Sequence, residues 1–271
     1  MTTTNNRPDL LARLTDGISQ LTTSEQWQRY LDFQGRFHRY SANNVVLISM
    51  QCPEASRVAG FNAWRKMGRF VRKGEKAIWI LAPMVYKQAE AADGDDERVI
   101  RGFKPVAVFD VSQTDGEELP EVCNRLTGDA PAEIFDTLRS FAHGIGFSVE
   151  DAELPGSVNG DCSHSERRIR VEVSNSPAQR VKTLAHELAH ALLHEQYDNR
   201  PLAELEAESV AYVTCQALGV DSSDYSFGYV ATWAGDGDKA IASIKASCEL
   251  IQKAAAEMLR PFEAEVREEA A

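Results

Sequence analysis

The chain has 271 residues, 43% of them hydrophobic and 26% charged, with a formal net charge of −12. That length suits one large domain or two small ones, and the apolar fraction is sufficient for a packed core. No run approaches the roughly 20 apolar residues of a membrane span, no leader-like segment opens the chain, and the five cysteines are scattered without a CxxC. A cytoplasmic protein with no membrane partner and no disulfide framework is therefore expected.

The mean charge hides a division. Residues 1–90 hold 13 of the 29 basic side chains but only 7 of the 41 acidic ones. An electropositive N-terminal part thus precedes a strongly acidic remainder, which suggests nucleic-acid contact in the first half.

In chain order, Leu10, Leu11, Leu14, Ile18 and Leu21 form a helical stripe. Thr22 with Glu25 predicts a capping box for a second helix carrying Trp27, Tyr30, Leu31, Gln34 and Phe37. A third helix follows Ser41, with Val45, Val46, Leu47 and Ile48, and stops before Cys52-Pro53; a short one over 61–67 ends at Gly68. Around it, Arg57, Arg65, Lys66, Arg69, Arg72, Lys73 and Lys76 interleave with Phe61, Trp64, Phe70 and Trp79. Cations that neutralise phosphates, beside rings that stack on unpaired bases, make up a single-strand groove. The DNA-binding candidates are Tyr40, Asn43, Asn44, Trp64, Arg65, Arg69, Arg72, Lys73 and Lys76. The alternative puts Trp64 and Trp79 in the core and leaves the charges as a solvated face.

Two β segments, 77–86 and 103–111, joined by an acidic tip over 90–97, read as a hairpin. The polar span that follows predicts a first domain of residues 1–115, a linker of 116–131 and a second domain of 132–271. The second domain opens with a helix over 132–143 and a short strand over 147–150. GDCSHS (160–165) reads as a flexible loop, with Cys162 and His164 as alternative caps on a metal. RIRVEVS (168–174) alternates, placing Ile169, Val171 and Val173 inward, where such a strand can align an extended peptide.

VKTLAHELAHALLH, residues 181–194, reads as a buried helix behind a Ser176-Pro177 start. His186 and His190 are four apart and share one face, so two imidazoles can hold one ion. Glu187 lies one step round, where it reaches water rather than the metal. Such a site needs a third ligand, and AELEAESVAYVTCQALG (203–219) supplies glutamates on a second helix. Glu204 is the expected ligand, with Glu208, on the same face, as its support or reserve. Glu206 is turned about 200° from Glu204 and is not expected at the same site. His194 lies about 12 Å along from His186, too far for the same ion, and reads as a helix-end or substrate-side residue. Tyr225 and Tyr229 are oxyanion candidates, Asp236 and Asp238 read as caps, and a helix over 238–260 closes the chain before an acidic tail.

HELAHALLH with the glutamate helix makes residues 132–260 resemble the ImmA/IrrE and ArdC-associated zincin-like metallopeptidases. RYSANNVVLI (39–48), FNAWRKMGRFVRKGEKAIWI (61–80) and VFDVSQT (108–114) make the first part resemble the ssDNA-binding domain of ArdC-type antirestriction proteins. The resemblance implies an antirestriction or DNA-processing protein of a mobile element. The expected fold is α+β: an N-terminal helical domain with a β-hairpin or small sheet, then a zincin-like domain. The expected function is ssDNA-binding proteolysis of DNA-associated proteins, with Zn2+ or alternatively Mn2+ on His186, His190 and Glu204 and Glu187 catalytic. The alternatives are a non-proteolytic DNA shield with a structural metal and a repressor-cleaving regulator.

Overall fold

The computed structural model describes residues 7–87, 98–119, 130–221 and 237–269. The acidic tip at 90–97, Tyr225, Tyr229 and Asp236 lie outside them. The fold is α+β, and the chain divides into two compact units that are not consecutive in sequence. Met1–Ser19 with Asn43–Pro120 form the first, and Gln20–Ala42 with Glu121–Ala271 the second.

In the first unit, strands β3 (Ile78–Lys87) and β4 (Arg98–Asp110) pair antiparallel, as the expected hairpin, with Ile78 opposite Val108. The short β1 (Val58–Ala59) adds to the other side of β4, giving the order β1-β4-β3. That order leaves β3 with an outer edge, and an outer edge carries unpaired backbone groups. Helix α3 (Ala42–Gln51) satisfies two of its positions with side-chain amides. Asn44 accepts from Leu81 N–H and donates to Leu81 C=O, both at 2.9 Å, and Gln51 does the same for Trp79 at 3.0 and 2.9 Å. Below lie α1 (Arg7–Ser19), whose Leu10, Leu14 and Ile18 are buried, and the apolar run Val45, Val46, Leu47 and Ile48. Helix α4 (Phe61–Lys66) leads into β2 (Arg69–Val71), which pairs with β5 (Thr114–Gly116) in a separate two-stranded ribbon.

The second unit is built on α6 (Pro177–Leu193) and α7 (Arg200–Ala217). Ser176 caps α6 by accepting from Gln179 N–H, with Pro177 in the first turn, as the sequence predicts. Asn199 caps α7 through Leu202 N–H. That helix stops at Gly219, whose φ of +70 lets the chain turn left-handed while Val220 N–H returns to Cys215 C=O. Helix α5 (Ala130–Gly144) and a three-stranded sheet of β6 (Ser148–Ala152), β8 (Arg168–Glu172) and β7 (Gly160–Ser163) pack against α6. Strand order is β6-β8-β7, parallel then antiparallel. On its other sides α7 meets α2 (Ser24–Arg36) and α8 (Gly237–Glu269).

The expected domain limits differ from these units at residues 20–42. Helix α2 buries Trp27, Tyr30 and Leu31, and Trp27 Nε1–H donates to Ser209 Oγ of α7 at 3.0 Å. Tyr212 of α7 donates its hydroxyl hydrogen to Asp32. The α2 stripe thus finds its partner far along the chain. Its cap is also displaced by one residue, since Thr23, not Thr22, accepts from Gln26 N–H. Segment 160–163, expected as loop, is an edge strand, and Val173 is exposed because β8 ends at Glu172.

Replacing Trp27 by Ala is expected to cost about 3–5 kcal/mol, the usual loss for an aromatic core residue. Denaturant unfolding measures the cost, and hydrogen exchange locates it. Amides of α7, more than those of β3 and β4, should exchange faster; unchanged α7 amides would contradict the placement.

Candidate metal centre

The helical period brings His186 and His190 together one turn apart, and α7 lays Glu204 across them. Nε2 of His186 and Nε2 of His190 are 3.1 Å apart, and Glu204 Oε2 lies 3.5 Å from the first and 3.6 Å from the second. These three are a group able to hold a metal among the described residues, with their donor atoms within 4.8 Å of one another. Glu208 Oε2 accepts from Nδ1–H of His186 at 3.0 Å and so fixes which nitrogen of that ring faces the cluster.

Charge in the cluster fits a cation. Burial lowers the pKa of His186, but hydrogen bonds to Glu204 and Glu208 outweigh it and raise it to about 10. His190, lowered by burial and by His186, falls to about 4. Glu204 is lowered to about 2 by its hydrogen bond with His186, against the effect of burial. A single proton on His186 therefore supplies the positive charge on which two carboxylates and a second imidazole converge. Two imidazoles and one carboxylate also suit zinc or manganese, whose sites draw on nitrogen and oxygen donors.

Glu187 is not part of the cluster. It is buried to 8% exposure and lines a cleft of about 380 Å³ with His186 and Glu208. Burial raises its pKa to about 7 against the pull of His186, helped by Asp161 and Glu204. The opposite wall is Val158, Asn159 and Gly160, leading into edge strand β7. This corrects the expectation for RIRVEVS: β8 is the central strand, paired on both sides, so among the described residues the strand with a free edge by α6 is β7. Cys162 lies on β7, and its thiol is pushed up to about 12 by burial, Glu187 and Asp161. His164 donates Nε2–H to the His190 carbonyl at 3.0 Å.

His194 ends α6 as its C-cap, as the sequence reading allowed, and Glu206 stands outside the ligand cluster as expected, but the two are linked in a way the sequence did not show. His194 is 4% exposed, not a substrate-side residue, and its Nδ1 lies 2.9 Å from Nδ1 of His190. Glu206 does stay out of the ligand cluster, yet it is bound to His194 at 3.1 Å. Neither link was legible in the sequence. A histidine eight residues beyond the first of a metal pair was the only available signal.

The DNA candidates scatter. Trp64 is fully buried, its Nε1–H donating to Phe109 C=O at 2.9 Å, so it is a core residue and not a stacking platform. Asn44 spends its amide on β3. Arg69 is committed to Thr114 at 2.8 Å and to the Glu117 carbonyl, and Arg72 to Glu75 at 2.8 Å and Asp115 at 3.2 Å. These two arginines hold the β2–β5 ribbon. Tyr40 falls in the second unit with its ring edge on Phe37, and Asn43 is half-buried. Arg65, Lys66, Lys73 and Lys76 are exposed, as are Phe61 and Phe70, at 48% and 59%.

Fold and cluster together define a two-unit α+β protein with a candidate mononuclear metal centre on a helix pair. Residues 8–118 match the N-terminal domain of anti-restriction factor ArdC, and residues 142–215 match the IrrE N-terminal-like domain, peptidase family M78. The chain joins an ArdC-type N-terminal domain to an IrrE-like domain. An uncharacterized protein of Bacillus anthracis is 26% identical over 269 residues, covering 83% of this chain and 46% of that protein. The chain thus spans about half the length of that relative. Two crystal structures of the antirestriction ArdC protein from plasmid R388 are also similar. The metal-free one is 22% identical, with coverage of 83% of each chain, and the Mn(II)-bound one is 23% identical, covering 86% of this chain and 94% of that one; both have a TM-score of 0.48. Among the described residues no helix is long and apolar enough to cross a membrane.

Gly160 sets how closely β7 approaches α6. A Cβ there would lie 2.5 Å from Thr183 Cγ2 and 3.1 Å from Glu187 Cγ, whereas one at Gly144 would meet nothing. Gly160→Ala is expected to cost about 1–3 kcal/mol through overpacking, measured by urea unfolding. Gly144→Ala is the control and should be neutral or mildly stabilising.

Proposed function

We propose that the second unit is a metal-dependent peptide hydrolase, with His186, His190 and Glu204 as ligands and Glu187 as its acid–base residue. The observation that carries this reading is Glu187 itself. It holds no position in the donor cluster, yet it is buried at the cleft wall with a pKa raised to about 7. A purely structural site has no use for such a group, and a general base works best when poised near ambient pH. When bound, Zn2+ or Mn2+ supplies Lewis acidity that polarises the scissile carbonyl and makes water a better nucleophile. Glu187 accepts the proton of the attacking water at a carboxylate oxygen and returns it to the leaving amine. The free edge of β7 orients an extended peptide along the cleft by backbone pairing. Glu208 holds the His186 ring while this occurs.

The first unit, on the same reading, binds single-stranded DNA and brings the hydrolase to proteins on that strand. Its support is the ArdC-type domain over 8–118 and the exposed set of Phe61, Phe70, Arg65, Lys66, Lys73 and Lys76. Exposed rings stack on unpaired bases and exposed cations follow the backbone.

Glu187→Gln keeps the size of the side chain and both histidines. It should retain metal and lose cleavage of a DNA-bound protein substrate by at least about 100-fold. Cleavage at the parental rate by a metal-loaded Glu187→Gln protein would remove Glu187 as the acid–base residue, whereas a metal-loaded parent that cleaves no DNA-bound protein would remove the enzyme reading and leave a DNA shield with a structural metal.

Phe70→Ala and Phe61→Ala should each weaken binding of a labelled oligothymidylate by about 1–3 kcal/mol. Neutralising Lys66 or Lys73 should flatten the salt dependence by about 0.7 in logarithmic slope per lost contact. Anisotropy titrations across a salt series read both. If all four variants bind like the parent, the strand lies elsewhere. Trp64→Ala, by contrast, should act on stability.

A further inference from the structure

Behind His190 runs a line of buried polar groups that the hydrolytic reading leaves unused. Nδ1 of His190 is 2.9 Å from Nδ1 of His194, Nε2 of His194 is 3.1 Å from Glu206 Oε2, and Ser247 Oγ donates to Glu206 Oε1 at 2.6 Å. His194, Glu206 and Ser247 are 4%, 5% and 2% exposed and come from the end of α6, from α7 and from α8.

We propose that His194 and Glu206 are positioning residues that together fix the ring of His190 for the metal. The inference rests on reading His186, His190 and Glu204 as ligands.

One arrangement of hydrogens satisfies the whole line. Nε2 is the His190 nitrogen that faces His186 and Glu204, so the ring hydrogen of a neutral, metal-ready His190 is on Nδ1. That N–H needs an acceptor, and Nδ1 of His194 is in place to be one. His194 then carries its own hydrogen on Nε2 and donates it to the Glu206 carboxylate, whose second oxygen takes the Ser247 hydroxyl. No donor faces a donor anywhere in the chain.

The geometry explains why a second imidazole is needed. Both ligand rings are oriented by carboxylates of α7, but at different phases of that helix. Glu208 points to His186 and reaches it directly. Glu206, two residues earlier, is turned by about 200° and cannot reach the same face. His194 spans the difference. His164 holds the His190 main chain through its carbonyl, so ring and backbone are both constrained. Such outer partners orient ligands and raise their basicity, and losing one costs about 10–100-fold in metal affinity.

The test is the affinity of the full chain for Zn2+ and for Mn2+ alone, by competition with a chromophoric chelator, with apo-protein melting measured in parallel. His194→Phe keeps a ring but offers no acceptor, and should bind metal about 10–100-fold more weakly. His194→Asn places an oxygen near the former Nδ1 and should recover most of that loss, although it disturbs packing more. Glu206→Gln, which still accepts from His194 without the charge, should fall between the two, and it serves where His194→Phe does not fold. Parental affinity in His194→Phe, or equal losses in the Phe and Asn variants, would overturn the relay. A parent chain that takes up neither metal would instead overturn the ligand assignment on which it rests.

Discussion

The close approach of α6 and α7 is the constraint on which the site depends. Ala185 and Ala189 of α6 and Ala203, Ala207 and Ala211 of α7 are at most 2% exposed. Small side chains let two helices sit at the short end of the usual 8–10 Å interaxial range. Only then do carboxylates on one helix meet imidazoles on the other at 3.0–3.6 Å. The three glutamates of α7 divide the work by phase. Glu204 faces the histidine pair, Glu208 braces His186, and Glu206 turns the other way to His194 and Ser247. A larger residue at any of these buried alanines would strain the packing around α6 and α7.

What was legible in the sequence was whatever a single helix decides by itself. The four-residue spacing of His186 and His190, the offset of Glu187 and the shared face of Glu204 and Glu208 follow from 3.6 residues per turn. Glu206 and His194 were not legible in the same way, because α7 is covered on several sides and the phase of one helix does not say what stands opposite its far face. Strand β7 was missed for a different reason. Its sequence, Gly160-Asp161-Cys162-Ser163, has no apolar alternation, and its pairing with β8 is set from outside. The N-terminal patch shows composition failing as a guide to placement. Trp64, Asn44, Arg69 and Arg72 are the residue types of a nucleic-acid groove, but their hydrogen bonds go to the protein's own backbone and carboxylates. The exposed phenylalanines, less conspicuous in the sequence, keep the stacking faces that the tryptophan lacks.

Helix α2 carries a consequence for the order in which the protein can assemble. Trp27, Tyr30 and Leu31 leave the ribosome well before the side chains that cover them, which lie on α7, and Tyr30 further meets Cys248 of α8. Contacts separated by 182 residues, as between Trp27 and Ser209, close only after the intervening chain and α7 have been made. Until then α2 carries an uncovered aromatic face, the kind of surface that chaperones hold and that misassembles when it is crowded. Completion of the second unit is therefore also the event that shelters α2, so a stalled or clipped chain announces itself by leaving that face open.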